Sequence, residues 1–122
     1  MKLHASVPSG ANTITSYGDD YVAVNGARRD SNVIVTAAEV RAWSASDFAH
    51  LTVENFSELA RLGVEIVLLG TGSRQRFPHP RLTAPLGQAR VGLEVMDTKA
   101  ACRTYNILVA EERRVALALL FE

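Results

Sequence analysis

The stretch 115–121, Val-Ala-Leu-Ala-Leu-Leu-Phe, limits the possible folds more than any other part of the chain. In a strand, side chains alternate, so Val115, Leu117, Leu119 and Phe121 point one way and Ala116, Ala118 and Leu120 the other. Both faces are apolar, and a strand of that kind lies inside a sheet that is covered on both sides. The preceding segments supply the cover. Thr52 is placed to cap a helix reaching about residue 62, with Glu54 near its positive end and Phe56, Leu59, Ala60 and Leu62 on its apolar face. Gly63 suits a left-handed end to that helix. An apolar strand at 64–69 and another at 91–96 alternate with helices at about 84–90, capped by Thr83, and at 98–110, capped by Thr98.

This strand–helix order predicts an α/β fold with a mostly parallel central sheet and right-handed crossovers. Before residue 45 the pattern is of short strands. Residues 13–17 and 21–24 read as a hairpin about Gly18-Asp19-Asp20, followed by an Asn25-Gly26 turn, a polar connection at 28–32 and a strand at 33–36. The expectation is one three-layer domain over residues 1–122, with helices packed on the central sheet, an N-terminal antiparallel β meander and an extension of about ten residues.

Charge narrows the function classes. Thirteen Lys and Arg balance thirteen Asp and Glu, so no long-range positive field draws nucleic acid or anionic lipid to the chain. The longest apolar stretches fall far short of the roughly 18 residues of a membrane helix, so direct membrane insertion is not expected. The start has neither a signal-peptide nor a transit-peptide pattern, and the expected location is cytoplasmic. Cys102, His4, His50 and His79 lack metal-ligand spacing, and nothing calls for a cofactor.

Three segments are candidates for function. Gly70-Thr71-Gly72 follows an apolar strand, where open α/β sheets place ligands, and its backbone N–H groups could converge on an anion with Arg74, Arg76 and Arg81 nearby. A tight turn with close packing explains the same glycines. Glu94 interrupts an apolar strand, and is either a carboxylate used as general acid or base, or an outward-facing or ion-paired edge residue with Arg103, Arg113, Tyr105 or Asn106 as partners. Ile107 lies outside the apolar face formed by Ala101, Cys102, Tyr105, Leu108 and Val109. It either packs beneath the N-terminal third or, with Arg103, forms a partner surface. No Ser/His/Asp set or spaced carboxylate pair is present, and catalysis is not the expectation.

Several strings together resemble a known family. They are Gly70-Thr71-Gly72; Gly92-Leu93-Glu94-Val95-Met96-Asp97-Thr98 with Ala101; Thr104-Tyr105-Asn106 with Leu108; and Glu111 with Arg113 and Val115. Tyr17-Gly18, Val24-Asn25-Gly26, Ser31 with residues 33–35, and Trp43 extend the likeness into the first half. The chain resembles a bacterial-type member of the small domain family that includes mitochondrial complex I assembly factor 3. The resemblance implies a three-layer α/β fold with a mostly parallel sheet and no assigned reaction. In the mitochondrial relatives it implies binding of other proteins during assembly of NADH:ubiquinone oxidoreductase. It also gathers Gly70, Thr71, Gly72, Glu94, Thr98, Tyr105, Asn106, Glu111 and Arg113 as either a shared pocket or a buried polar network. Two functions are therefore expected in competition. One is a non-catalytic accessory protein that binds another protein. The other is a small-molecule or anion-binding protein, or an enzyme, built on residues 70–72 and Glu94. A neutral surface leaves the oligomeric state open.

Overall fold

In the computed structural model, residues 10–122 are described, and the expected N-terminal extension lies almost wholly outside them. The chain runs through β1 (Ile14–Tyr17), β2 (Val22–Val24), β3 (Ala27–Arg29), β4 (Val33–Thr36) and β5 (Val40–Ala42). After a single 3-10 turn at Phe48–His50 come α1 (Val53–Ala60), β6 (Ile66–Gly70), α2 (Pro80–Gln88), β7 (Gly92–Met96), α3 (Thr98–Ala110) and β8 (Val115–Leu119).

The strands form two sheets, one of order β1-β2-β3 and a larger one of order β5-β4-β8-β6-β7. As its alternation requires, β8 is central and buried along its length. Val115, Leu117 and Leu119 enter a core shared with α3 and the small sheet. Ala116, Ala118 and Leu120 enter a second core beneath α1 and α2. Three layers result, with the large sheet in the middle.

That sheet is mixed, not mostly parallel. β6 runs parallel to β7 and β8, but β4 is antiparallel to both β8 and β5. The sequence reading assigned 33–36 to the meander. Instead its four buried residues pair Val33 with Leu119 through Thr36 with Ala116, so the strand belongs to the central sheet. A tight turn then returns the chain as β5, which was not anticipated: the Thr36 N–H donates to the Glu39 carbonyl and the Glu39 N–H to the Thr36 hydroxyl.

The antiparallel N-terminal sheet is present. Gly18 donates its N–H to the Tyr21 carbonyl at 3.0 Å and closes the first hairpin. Asn25 and Gly26 have φ of 51° and 84°, the paired left-handed conformation that a two-residue hairpin turn requires. The turn leads directly into β3, so Arg28 and Arg29 lie on an exposed strand rather than in a connection.

Helix boundaries show which local signals prevailed. Thr52 caps α1, its hydroxyl accepting from Asn55 N–H while the Asn55 side chain accepts from Thr52 N–H. Asp97, not Thr98, caps α3 by accepting the Ala100 N–H at 2.9 Å. His79, not Thr83, caps α2, and Pro85 sits inside the helix. Pro85 forfeits one intrahelical bond, while Leu82 and Leu86, one turn apart, pack onto the second core.

Candidate functional site

Gly70, Thr71, Gly72 and Thr98 do come together, at the carboxyl end of β6 beside the start of α3. Their backbone donors are occupied. Thr71 N–H donates to the Met96 carbonyl at 2.9 Å, and Gly72 N–H donates to the Thr98 hydroxyl at 3.0 Å. Thr98 N–H donates back to the Gly72 carbonyl at 2.8 Å, so Thr98 is tied to this loop through both its hydroxyl and its N–H while Asp97 caps α3. The Thr71 hydroxyl donates to the Arg74 carbonyl at 2.6 Å and accepts from Arg76 N–H at 3.0 Å, so it organises the loop that follows. Both glycines have steric reasons. A Cβ on Gly70 would stand 2.6 Å from Leu119 Cδ2 and 3.2 Å from Thr98 Cα. Gly72 has φ of +90°, and its Cβ would meet the Glu122 carbonyl at 2.9 Å.

A cleft of about 210 Å³ adjoins Gly72 and Thr98. Asp19 and Asp97 line it, and its one cation, Lys99, already pairs with Asp19 at 3.0 Å. That lining does not favour an anion. Of the three arginines expected to contact one, Arg76 is committed: its guanidinium donates to the Thr71 carbonyl at 2.9 Å, pairs with Glu122 at 3.2 Å and stacks over the Phe48 ring at 4.5 Å. Arg74 and Arg81 are exposed.

The other residues of the resemblance lie elsewhere. Glu94 is exposed on β7, an edge strand of the large sheet, so it does not point into an apolar layer. The partners considered for it are engaged with other groups. Tyr105 and Asn106 are buried and face the small sheet. The Asn106 side chain accepts from Ile14 N–H at 2.9 Å and donates to the Ile14 carbonyl at 2.8 Å. The Tyr105 hydroxyl donates to the Asn12 carbonyl at 2.9 Å, and burial pushes the phenol above its ordinary range. Arg103 donates to the Tyr17 hydroxyl at 3.0 Å. Together these groups fasten β1 to α3.

Glu111 is exposed just beyond α3. Arg113 pairs with Glu65 on the surface, where its hydrogen bond holds the Glu65 carboxyl below the usual range. The residues of the resemblance therefore form separate structural contacts, and only Gly70, Thr71, Gly72 and Thr98 are gathered at one place.

Ile107 is 56% exposed. The N-terminal third does not cover it, because β1 is held against the flank of α3 that carries Asn106. Cys102 is buried, and desolvation pushes its thiol up to about 12, which keeps it from acting as a thiolate nucleophile at neutral pH. Among the described residues no group of three His, Cys, Asp or Glu side chains is placed to hold a metal ion. Sequence reasoning missed Phe77, 70% exposed between Arg76 and Pro78. Its signal was an aromatic flanked by prolines and arginines.

Residues 14–120 match the model of the family described as "Protein of unknown function (DUF498/DUF598)". The chain belongs to this family. It is 33% identical over 109 residues to NADH dehydrogenase [ubiquinone] 1 alpha subcomplex assembly factor 3 of Bos taurus, a match covering 88% of this chain and 59% of the relative. The chain thus spans about three fifths of the length of that curated relative. Among solved structures it resembles a crystal structure of a Bordetella parapertussis protein, with 42% identity, a TM-score of 0.87, and coverage of 94% of this chain and 100% of the other. It also resembles the solution structure of a Bordetella pertussis protein described as a Mth938-like domain, with 36% identity, a TM-score of 0.79, and coverage of 99% and 92%. The mixed α/β architecture is therefore a Mth938-like fold. No described helix is long and apolar enough to cross a membrane.

Proposed function

We propose that this chain is a non-catalytic accessory domain that binds another protein during assembly of a membrane-associated redox complex, working in the cytoplasm. Ile107 carries the reading. It is a large apolar side chain held 56% exposed on a helix whose other faces are spent on the core and on β1. Such a residue, with Arg103 one turn away, offers apolar surface that a partner would take out of water. The kinship with an assembly factor for NADH dehydrogenase supplies the class of partner.

The test is direct mixing of the purified chain with purified peripheral-arm subunits of NADH:quinone oxidoreductase, followed by size-exclusion chromatography. Co-elution that Ile107→Glu abolishes is the expected result, together with less assembled complex on native gels when the gene is deleted. Normal assembly in the deletion strain and no co-elution would end this reading. The alternative, a ligand site on residues 70–72 and Glu94, has less support. The N–H groups of Thr71 and Gly72 are occupied, and Glu94 stands apart on the sheet edge.

A further inference from the structure

The loop between β6 and α2 holds an aromatic side chain out in solvent, and it does so with a firmly bonded backbone. Thr71 ties down both the Arg74 carbonyl and the Arg76 N–H, and Gln75 Nε2 donates to the Val95 carbonyl at 2.8 Å. On the other side of Phe77, His79 caps α2 and Pro80 opens it, so the chain is fixed there too. Phe77 is 70% exposed at the centre of this frame, the most exposed large apolar side chain among the described residues. A ring on a mobile loop can turn inward, but one on a braced loop stays presented to solvent.

The charge of the sequence around Phe77 has one sign. Residues 66–93 contain Arg74, Arg76, Arg81 and Arg90 and no Asp or Glu, in a chain whose total charge is zero. Arg76 is neutralised by Glu122, but Arg74 and Arg81, three and four residues either side of Phe77, are exposed. A braced aromatic flanked by free guanidinium groups complements a surface that offers an apolar pocket rimmed by carboxylates, which arginine binds in bidentate fashion.

We infer that residues 74–81 form a docking surface for an acidic segment of a partner protein, with Phe77 filling an apolar pocket and Arg74 and Arg81 pairing with carboxylates beside it. This rests on the protein-binding reading above and names the chemistry of a partner. A lipid surface is the less favoured occupant, because one aromatic and two free arginines on a neutral protein make a weak grip on a bilayer.

Selection of a phage-displayed random peptide library on the full chain tests the inference. Enriched sequences should combine Asp or Glu with a large apolar residue, and a synthetic peptide of that kind should bind less tightly as salt is raised. Phe77→Ala should weaken that peptide about thirtyfold or more, the loss expected of an interface anchor. Arg74→Glu combined with Arg81→Glu should abolish binding. Phe77→Ala should melt as the parent does, since the ring lies outside both cores.

The inference is overturned by an absence of enrichment, by enriched peptides without acidic residues, or by binding that Phe77→Ala does not affect. Phe77-dependent sedimentation with phosphatidylglycerol vesicles, without acidic peptide binding, would overturn it in favour of a lipid surface. Its failure is separable from that of the assembly reading. Subunit binding lost in Ile107→Glu with these peptide results negative would leave the accessory role standing.

Discussion

Asn106 grips Ile14 as a neighbouring strand would, accepting its N–H at 2.9 Å and donating to its carbonyl at 2.8 Å across 92 positions of sequence. Both partners are buried, and the pair fastens the edge strand of the small sheet to α3. Replacing Asn106 by Ala would leave a buried donor and a buried acceptor on Ile14 unsatisfied. The expected loss is about 2–4 kcal/mol in denaturant unfolding. Hydrogen exchange should accelerate at Ile14 before it does in β8, because the damage falls on the attachment of the small sheet. Equal loss of protection in both strands would contradict that placement.

The glycines of the 70–72 segment make opposite demands from the glycine of α2. A Cβ at Gly70 would press on Leu119 and on the backbone of Thr98, so Gly70→Ala should cost about 1–3 kcal/mol through overpacking. Gly87 lies in α2 with nothing within 4 Å of a new Cβ. Gly87→Ala should therefore stabilise the chain by about 0.5–1 kcal/mol, chiefly through helix propensity. Urea midpoints of the two variants should move in opposite directions from the parent.

What was legible in the sequence depended on interactions that are local or that leave a periodic trace. The alternation in residues 115–120 identified a doubly covered strand because burial on both faces shows directly in residue type. Asn25-Gly26 and Thr52 likewise declare a turn and a cap through their own chemistry. The direction of β4 left no such trace: Val33-Ile34-Val35-Thr36 is equally apolar whether its neighbour runs parallel or antiparallel. Glu94 could not be oriented until β7 was known to be an edge strand, since strand order is a property of the whole sheet. Ile107 stayed ambiguous because the flank of α3 that β1 covers is chosen by Asn106, a contact between positions far apart in sequence.

Inorganic phosphate should leave the melting temperature unchanged. A ligand that binds only the folded chain raises it by mass action, but the Thr71 and Gly72 donors are already used and Asp19 and Asp97 line the adjoining cleft. A concentration-dependent rise that disappears in Arg74→Ala would restore the anion-binding reading. Differential scanning fluorimetry over a phosphate series is sufficient.

Alkali should destabilise the chain through Cys102 and Tyr105, both raised by burial. The Cys102 thiol stands at about 12 in the folded chain against 9.0 for a free thiol, so between those values the folded state holds a proton that the unfolded state has released. Stability is then fully present below about pH 9 and is lost as pH rises toward about 12, at up to about 1.4 kcal/mol per pH unit for this one group. The Tyr105 phenol has the same sign and adds to the fall above its ordinary value of 10.0, because burial disfavours the phenolate. Tyr105→Phe should lower stability at neutral pH by about 1 kcal/mol, through loss of that bond, yet flatten the alkaline limb. Urea unfolding at a series of alkaline pH values resolves both effects. Iodoacetamide supplies an independent check, since Cys102 should react only when the chain opens. A native thiol that reacts at the rate of a free one would show that its burial, and with it the alkaline limb assigned to it, is wrong.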